Sequence, residues 1–380
     1  ASAVAVLIAP SAGADAPPLK IGMVSTLSGN FAQAAKTDEA AISAFFKEHG
    51  DTVAGRKVVI IKRDDGGNAP DTAKRLAQEL VVSEHVDFLM GLVFSPNAKA
   101  VGDVSTSAKV PTFITNAASN GILEPNPYMV RFSYTEGQLT VPLAQWALKN
   151  NIKTIYTIVL DYATGIDAAA GFVPAYTAGG GKIVGEVRVP LNSQDFSAYV
   201  QRIKDAHPQA IFAFLSTAGA PFLKAWDAAG GPATGIKILA TGDLTVETNL
   251  PIYGDAGLGL ITSMNYSAAH KSALNAQLTR DTRAADPSLD GPDFASVATY
   301  DVMSAIYKVV EAQKGNLDPD KTMALVKGLR LESARGPIQI DPQTRDIIQN
   351  IYIRRVDKVD GKYQNTEIAV YPNVRDPIEK

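Results

Sequence analysis

Four short stretches of small polar and acidic residues each follow an apolar, β-rich run, and together they define the chemistry this chain can offer. Phe94-Ser95-Pro96-Asn97 places a hydroxyl before a proline, the pattern of a helix N-cap with Pro at the first helical position. Such a start either caps its helix and nothing more, or also presents the Ser95 hydroxyl and unpaired backbone N–H groups to an anion such as a carboxylate. Thr115-Asn116-Ala117-Ala118-Ser119-Asn120 is an ordinary turn or, through its free backbone N–H groups, a second donor to the same anion. Thr241-Gly242-Asp243-Leu244 carries a carboxylate that caps a helix or pairs with a ligand cation. Asp161-Tyr162-Ala163-Thr164-Gly165 offers a ring with a hydroxyl, which covers a core edge or faces a ligand, and Phe94 offers an aromatic wall.

Reactive constellations are missing from the pattern. The four histidines, His49, His85, His207 and His270, are scattered without metal-ligand spacing. There is no nucleophile elbow, P-loop or dinucleotide fingerprint. Gly254-x-x-Gly257-x-Gly259 has the wrong glycine order for one and leads into a strand. Asp64-Asp65-Gly66-Gly67-Asn68 lacks the alternating ligands and closing Glu of a calcium loop and reads as a strand-to-helix turn. No cofactor, metal or catalytic residue is expected. A net charge of −3 with dispersed Lys and Arg gives no basic stripe for nucleic acid.

The elements that must hold these loops alternate. Strands are expected at Leu19–Val24, Lys57–Ile61, Val86–Val93 and Pro111–Thr115, separated by helices over Ala32–His49, Asp71–Ser83 and Pro96–Ala108. A second series begins near residue 139, with strands Thr154–Leu160, Lys182–Val189, Ala210–Leu215, Lys237–Thr241 and Leu258–Ser263. Short apolar runs between helices predict parallel strands covered on both faces. A chain of 380 residues exceeds a single core. The fold class is therefore α/β, with two doubly wound parallel-sheet lobes. The mainly helical 271–328 and the strand-like Gly336–Ile340, Ile348–Arg355 and Thr366–Tyr371 return to finish both lobes. This divides the chain into 17–138 with 267–345, and 139–266 with 346–380. In such sheets ligands sit beyond the carboxyl ends of the strands, where the four loops fall. Residues 1–16 are apolar and uncharged until Asp15, with small-x-small steps at Ala12-Gly13-Ala14 and Ala14-Asp15-Ala16, and read as the end of a cleaved secretory signal. The chain has no cysteine, so a freely diffusing exported monomer is expected rather than a lipid-anchored one.

The chain resembles the type I periplasmic binding proteins of ABC importers, in the leucine/isoleucine/valine-binding branch, over essentially its whole mature length. The carriers are Leu27-Ser28-Gly29-x-Phe31-Ala32, Asp64-Asp65 with Pro70 and Ala73, Gly91 through Ser95, Thr115 through Ser119, Asp161 through Asp167, and Gly336-Pro337-Ile338. The resemblance implies a Venus flytrap of two lobes on a three-segment hinge, closing on a small-molecule ligand and then docking on a membrane permease. It implies a ligand carboxylate held by Ser95, the Ala117 backbone and Ser119, and an ammonium partner at Asp243. It sets Thr164-Gly165, with Tyr162 nearby, in the second-lobe wall. The chain departs from its relatives at Ala34, where an aromatic is common, at Ser216-Thr217-Ala218-Gly219, where a tyrosine is common, and in carrying Asp243 rather than Glu. These departures leave two ligands open, an amino acid and an aromatic acid without an amine. The competing functions are a sensor of the same fold and an exported enzyme.

Overall fold

A computed structural model describes residues 16–29, 32–216 and 218–377. The segment read as a secretory signal lies outside the described residues up to residue 15, as do Phe31, Thr217 and the side chains of 32–34. Among the described residues no helix is long and apolar enough to cross a membrane.

Two sheets organise the chain. The first runs in the order Thr52–Val53, Arg56–Asp64, Leu19–Ser25, Phe88–Gly91, Thr112–Ile114, Met129–Arg131. All its pairs are parallel except the hairpin between the first two strands. The second sheet has a parallel heart, Lys182–Val189, Thr154–Leu160, Ala210–Phe214, Lys237–Thr241 and Ile261–Met264. An antiparallel extension joins this parallel heart. The long strand Ile347–Val359 pairs antiparallel with Ile261–Met264, and Lys362–Val374 pairs antiparallel with it in turn. The reason is the short two-residue reversal between these last strands, which admits a hairpin and leaves no length for a crossover helix. Strand Met129–Arg131 and the hairpin strand Arg330–Ser333 were not anticipated, being too short for a periodicity to show.

Each sheet is apolar on both faces because helices cover both. Leu19, Ile21, Met23 and Phe88 share a core with Val302, Ile306 and Val310 of helix Phe294–Ala312. Val24, Leu89 and Ile114, of opposite parity, pack with Ala73, Leu76 and Val101 on the other face. In the second sheet, Ile155, Val159, Phe212 and Leu239 meet Leu143 and Ala147 of helix Glu136–Lys149, while Ile158, Ile211 and Ala240 meet Phe222 and Trp226. The alternation follows from the twofold side-chain period of a strand.

The chain passes between the two sheets three times, and one core cluster collects Tyr134, Tyr266 and Ile351 from the three passages. A polar knot ties the same passages: the Ser133 carbonyl accepts from Asn265 Nδ2 at 3.1 Å and Gln349 Nε2 at 2.8 Å, and Asn265 Nδ2 also donates to Gln349 Oε1 at 3.0 Å. Strand Ile347–Val359 spans the join, with Ile347 in the first core and Val356 in the second.

Two glycines set the loops that follow the strands. Gly91 has φ +106°, and a Cβ there would lie 2.4 Å from the Val24 carbonyl oxygen. Gly165 would place a Cβ 2.1 Å from the Leu160 carbonyl oxygen, so the helix beside Thr164 lies directly on the strand end. Gly91→Ala is expected to cost about 1–3 kcal/mol in backbone strain alone, with a further penalty for overlap with the fixed carbonyl. A thermal midpoint within a degree of the parent would contradict this.

Candidate functional site

A cavity of about 470 Å³ lies between the carboxyl ends of the two sheets. This is within the usual range for small-molecule sites. From the first-lobe side it is lined by Phe94, Ser95, Asn116 and Ala118, and from the second by Tyr162, Thr164, Phe214, Ser216 and Asp243. Tyr134, from the first passage between sheets, and Asp293-Phe294-Ala295, from the start of a late helix, also line it, as do Val246, Thr248, Asn249, Ile252 and Tyr253 beyond strand Lys237–Thr241.

Ser95 is not the N-cap that its sequence context implies. Phe94 holds that position, and Ser95 is the first residue of helix Ser95–Ala108. Its side chain is thereby freed from capping. Ser95 Oγ accepts from the Ala118 N–H at 3.2 Å and the Ser119 N–H at 3.1 Å, and lies 3.3 Å from Thr164 Oγ1 across the cleft. The helix is fixed from behind by the Asp64-Asp65 turn. Asn97 Nδ2 donates to Asp65 Oδ2 and the Gly67 carbonyl, both at 2.8 Å, and Asn97 Oδ1 accepts from the Ala69 N–H. That turn therefore positions the site, and among the described residues no group of His, Asp or Glu could hold a metal.

In the second loop the donors differ from those expected. The Ala117 N–H is spent on the Leu92 carbonyl at 2.9 Å, continuing the strand-to-strand pairing, and the residue does not reach the cavity. Ala118 takes its place on the wall. Ser119 also stands off the cavity surface, and its Oγ donates to Thr164 Oγ1 at 3.4 Å. The loop is held by the buried Arg131, whose guanidinium donates to the carbonyls of Ala118 at 3.1 Å, Ser119 at 2.9 Å and Tyr134 at 3.3 Å, while its Nε lies 2.9 Å from Asp346 Oδ1. Turning these carbonyls toward Arg131 turns the neighbouring N–H groups toward Ser95.

The opposite wall is aromatic and acidic. Tyr162 packs on Phe214 with ring centroids 6.0 Å apart, and Tyr134 meets Phe294 edge-on at 5.7 Å. Burial pushes the Tyr162 phenol up, so it stays neutral and remains a donor. Tyr134 donates its hydroxyl to Asp243 Oδ1 at 2.7 Å. Burial raises the Asp243 carboxyl, opposed by that bond and by Arg354. Asp243 Oδ2 is buried with no partner at hydrogen-bond geometry among the described residues, though the Thr241 hydroxyl lies near enough to help hold the carboxyl down. Thr164, Ser119 and Ser95 link the two walls, and the Asn120 N–H donates to Asp167 Oδ2 at 3.3 Å beside them.

Five of the seven residues singled out from the sequence thus line one cavity: Phe94, Ser95, Tyr162, Thr164 and Asp243. Ala117 and Ser119 stand behind it, the second through its N–H on Ser95. The residues missed include Tyr134, Phe214, Asp293 and Phe294, and the stretch Val246 to Tyr253 that carries Thr248, Asn249 and Ile252. For Phe294 a signal existed. Asp293 and Ser296 form a reciprocal capping box that fixes where this helix begins.

Two parallel-sheet lobes with a polar, aromatic-walled cavity at their facing strand ends are the architecture of a two-lobed solute-binding protein. The periplasmic binding protein family model matches residues 18–362, and the chain belongs to that family. The family is one of solute-binding proteins. Leu/Ile/Val-binding protein homolog 6 of Brucella abortus (strain 2308) is 40% identical over 379 residues, covering 99% of this chain and 97% of its own. The fold is shared with two solved solute-binding proteins of ABC transporters from Rhodopseudomonas palustris. One, from strain BisB5 in complex with 3,4-dihydroxybenzoic acid, is 42% identical with a TM-score of 0.90, over 95% of this chain and 99% of that one. The other, in complex with 4-hydroxybenzoate, is 40% identical with a TM-score of 0.92, over the same shares.

Proposed function

We propose that this protein is the periplasmic substrate-binding component of an ABC importer, and that its lobes close on a small aromatic carboxylate without altering it. The observation that carries this reading is the composition of the cavity wall. Phe94, Tyr162, Phe214 and Phe294 offer ring faces and edges to a flat apolar body, and Ser95 at the start of helix Ser95–Ala108 offers one anion-binding corner. The benzoates bound by the two Rhodopseudomonas relatives support it. The Ser95 hydroxyl and the first turn of helix Ser95–Ala108 hold the carboxylate, where helix N–H groups and dipole favour negative charge. Thr164 closes over it from the second lobe. The lobes are 17–138 with 267–345, and 139–266 with 346–380, and the closed form docks on the permease. A cleaved secretory signal delivers the chain to the periplasm.

An amino acid is the second reading, favoured by the unpartnered Asp243 Oδ2, which an ammonium would satisfy. A thermal-shift screen separates the two. At 100 times its Kd a ligand stabilises the native state by about 2.7 kcal/mol. Benzoate, 4-hydroxybenzoate and 3,4-dihydroxybenzoate are expected to raise the midpoint, and L-leucine to leave it in place. A shift with L-leucine and none with the benzoates would overturn the aromatic-acid reading.

A further inference from the structure

The least satisfied group near the cavity sits just behind its wall. Glu136 is the first residue of helix Glu136–Lys149 and is completely buried. Neither of its carboxyl oxygens has a hydrogen-bond partner among the described residues. The groups that act on it are Asp243 from the turn Gly242–Thr245, Asp167 from helix Ala163–Ala178 and Arg131 from strand Met129–Arg131. Tyr134 and Tyr162 feel both Glu136 and Asp243. Asp243 in turn faces Arg354, accepts from Tyr134 on Oδ1, and is further held by the Thr241 hydroxyl and its own backbone N–H.

The two arginines do not supply the missing donors. Arg131 is engaged with Asp346 and three backbone carbonyls. Arg354 is engaged with the Tyr266 carbonyl, Thr262 and Thr245. A buried carboxylate without donors is costly, and a proton on Glu136 removes that cost. Burial and the charges of Asp243 and Asp167 raise the Glu136 carboxyl well above its usual range, against Arg131.

Glu136 also lies at the seam of the two lobes. Its backbone N–H donates to the Ala118 carbonyl at 3.2 Å, on the anion-holding loop, while Asp167 and Asp243 belong to the opposite wall.

We propose that the Glu136 carboxyl is protonated when the lobes are closed, that opening them exposes it to water, and that the protein takes this proton from solvent as it closes on its ligand. The inference rests on the closing, ligand-binding role argued above. The proton is transferred without any other bond changing. In the open form Glu136 loses its proton above its ordinary pKa of 4.5, while the closed form keeps it to higher pH. Closure, and with it affinity, is therefore strongest below that value. It weakens by up to about tenfold per pH unit as pH rises toward the closed-state value.

The test is calorimetric titration of the whole protein with 4-hydroxybenzoate, and in parallel with L-leucine, at pH 6, 7 and 8. Each pH is run in two buffers of different ionisation heat. The expected result is net proton uptake on binding and a Kd that rises with pH. In Glu136→Gln the uptake disappears and the pH slope flattens. Binding of either ligand with buffer-independent heat and a flat Kd overturns the inference, and so does a Glu136→Gln protein that still takes up the proton. If Glu136→Gln does not fold, the wild-type slope decides. If only L-leucine binds, the aromatic-acid reading fails, while proton uptake in that titration still decides this one. Binding of neither overturns both.

Discussion

Replacing Arg131 with Met is expected to lower global stability by about 3–5 kcal/mol, the usual cost of leaving one half of a buried ion pair behind. The side chain is fully buried and so is Asp346, at 0% and 2% exposure, so no water relieves the orphaned carboxylate. Three backbone carbonyls also lose their donor, at Ala118, Ser119 and Tyr134. The urea midpoint should fall with its slope unchanged. Adding Asp346→Leu to the same protein should recover a large part of the loss, because the buried charge then goes too. A single-variant loss below about 1 kcal/mol would show that Asp346 finds another partner. The substitution should also weaken ligand binding, since the carbonyls gripped by Arg131 orient the N–H groups that meet Ser95.

Ser95→Ala carries the largest expected effect on binding that leaves the fold intact. Its Oγ is the shared acceptor of the Ala118 and Ser119 N–H groups and stands 3.3 Å from Thr164 Oγ1. Removing it leaves buried donors without an acceptor, at about 1–3 kcal/mol. It also removes the hydroxyl assigned to the ligand carboxylate. With 1.4 kcal/mol per tenfold, affinity for 4-hydroxybenzoate should fall by about 10- to 100-fold. Equilibrium titration reads this directly. An unchanged Kd would place the carboxylate elsewhere in the cavity.

The alternation of strands and helices was legible because apolar β-rich runs and helical stretches are long enough to repeat. Strands Thr154–Leu160, Lys182–Val189 and Lys237–Thr241 have the very bounds that the sequence predicts. What was hidden is non-local. The antiparallel end of the second sheet depends on the hairpin of its last two strands, whose outer strand has a mixed burial pattern with no clean alternation. The loops that carry the site were legible by type and position, since ligands collect at the carboxyl ends of parallel strands. Their internal wiring was not. Whether Ala117 or Ala118 reaches the cavity wall depends on one hydrogen bond to Leu92, which no residue type announces. Tyr134 and Phe294 reach the cavity from segments more than 150 residues apart in sequence, and only the three passages between the sheets bring them together. Glu136 reads in sequence as a favourable acidic helix start. Only packing reveals that it is buried without a donor.

The central claim is that the cleft is built for an aromatic acid held at Ser95. Isothermal titration of the purified protein with 4-hydroxybenzoate, beside L-leucine under the same conditions, tests it most directly. The account predicts saturable one-to-one binding of 4-hydroxybenzoate that Ser95→Ala weakens, and no heat of binding with L-leucine. Saturable binding of L-leucine with none of 4-hydroxybenzoate would contradict it.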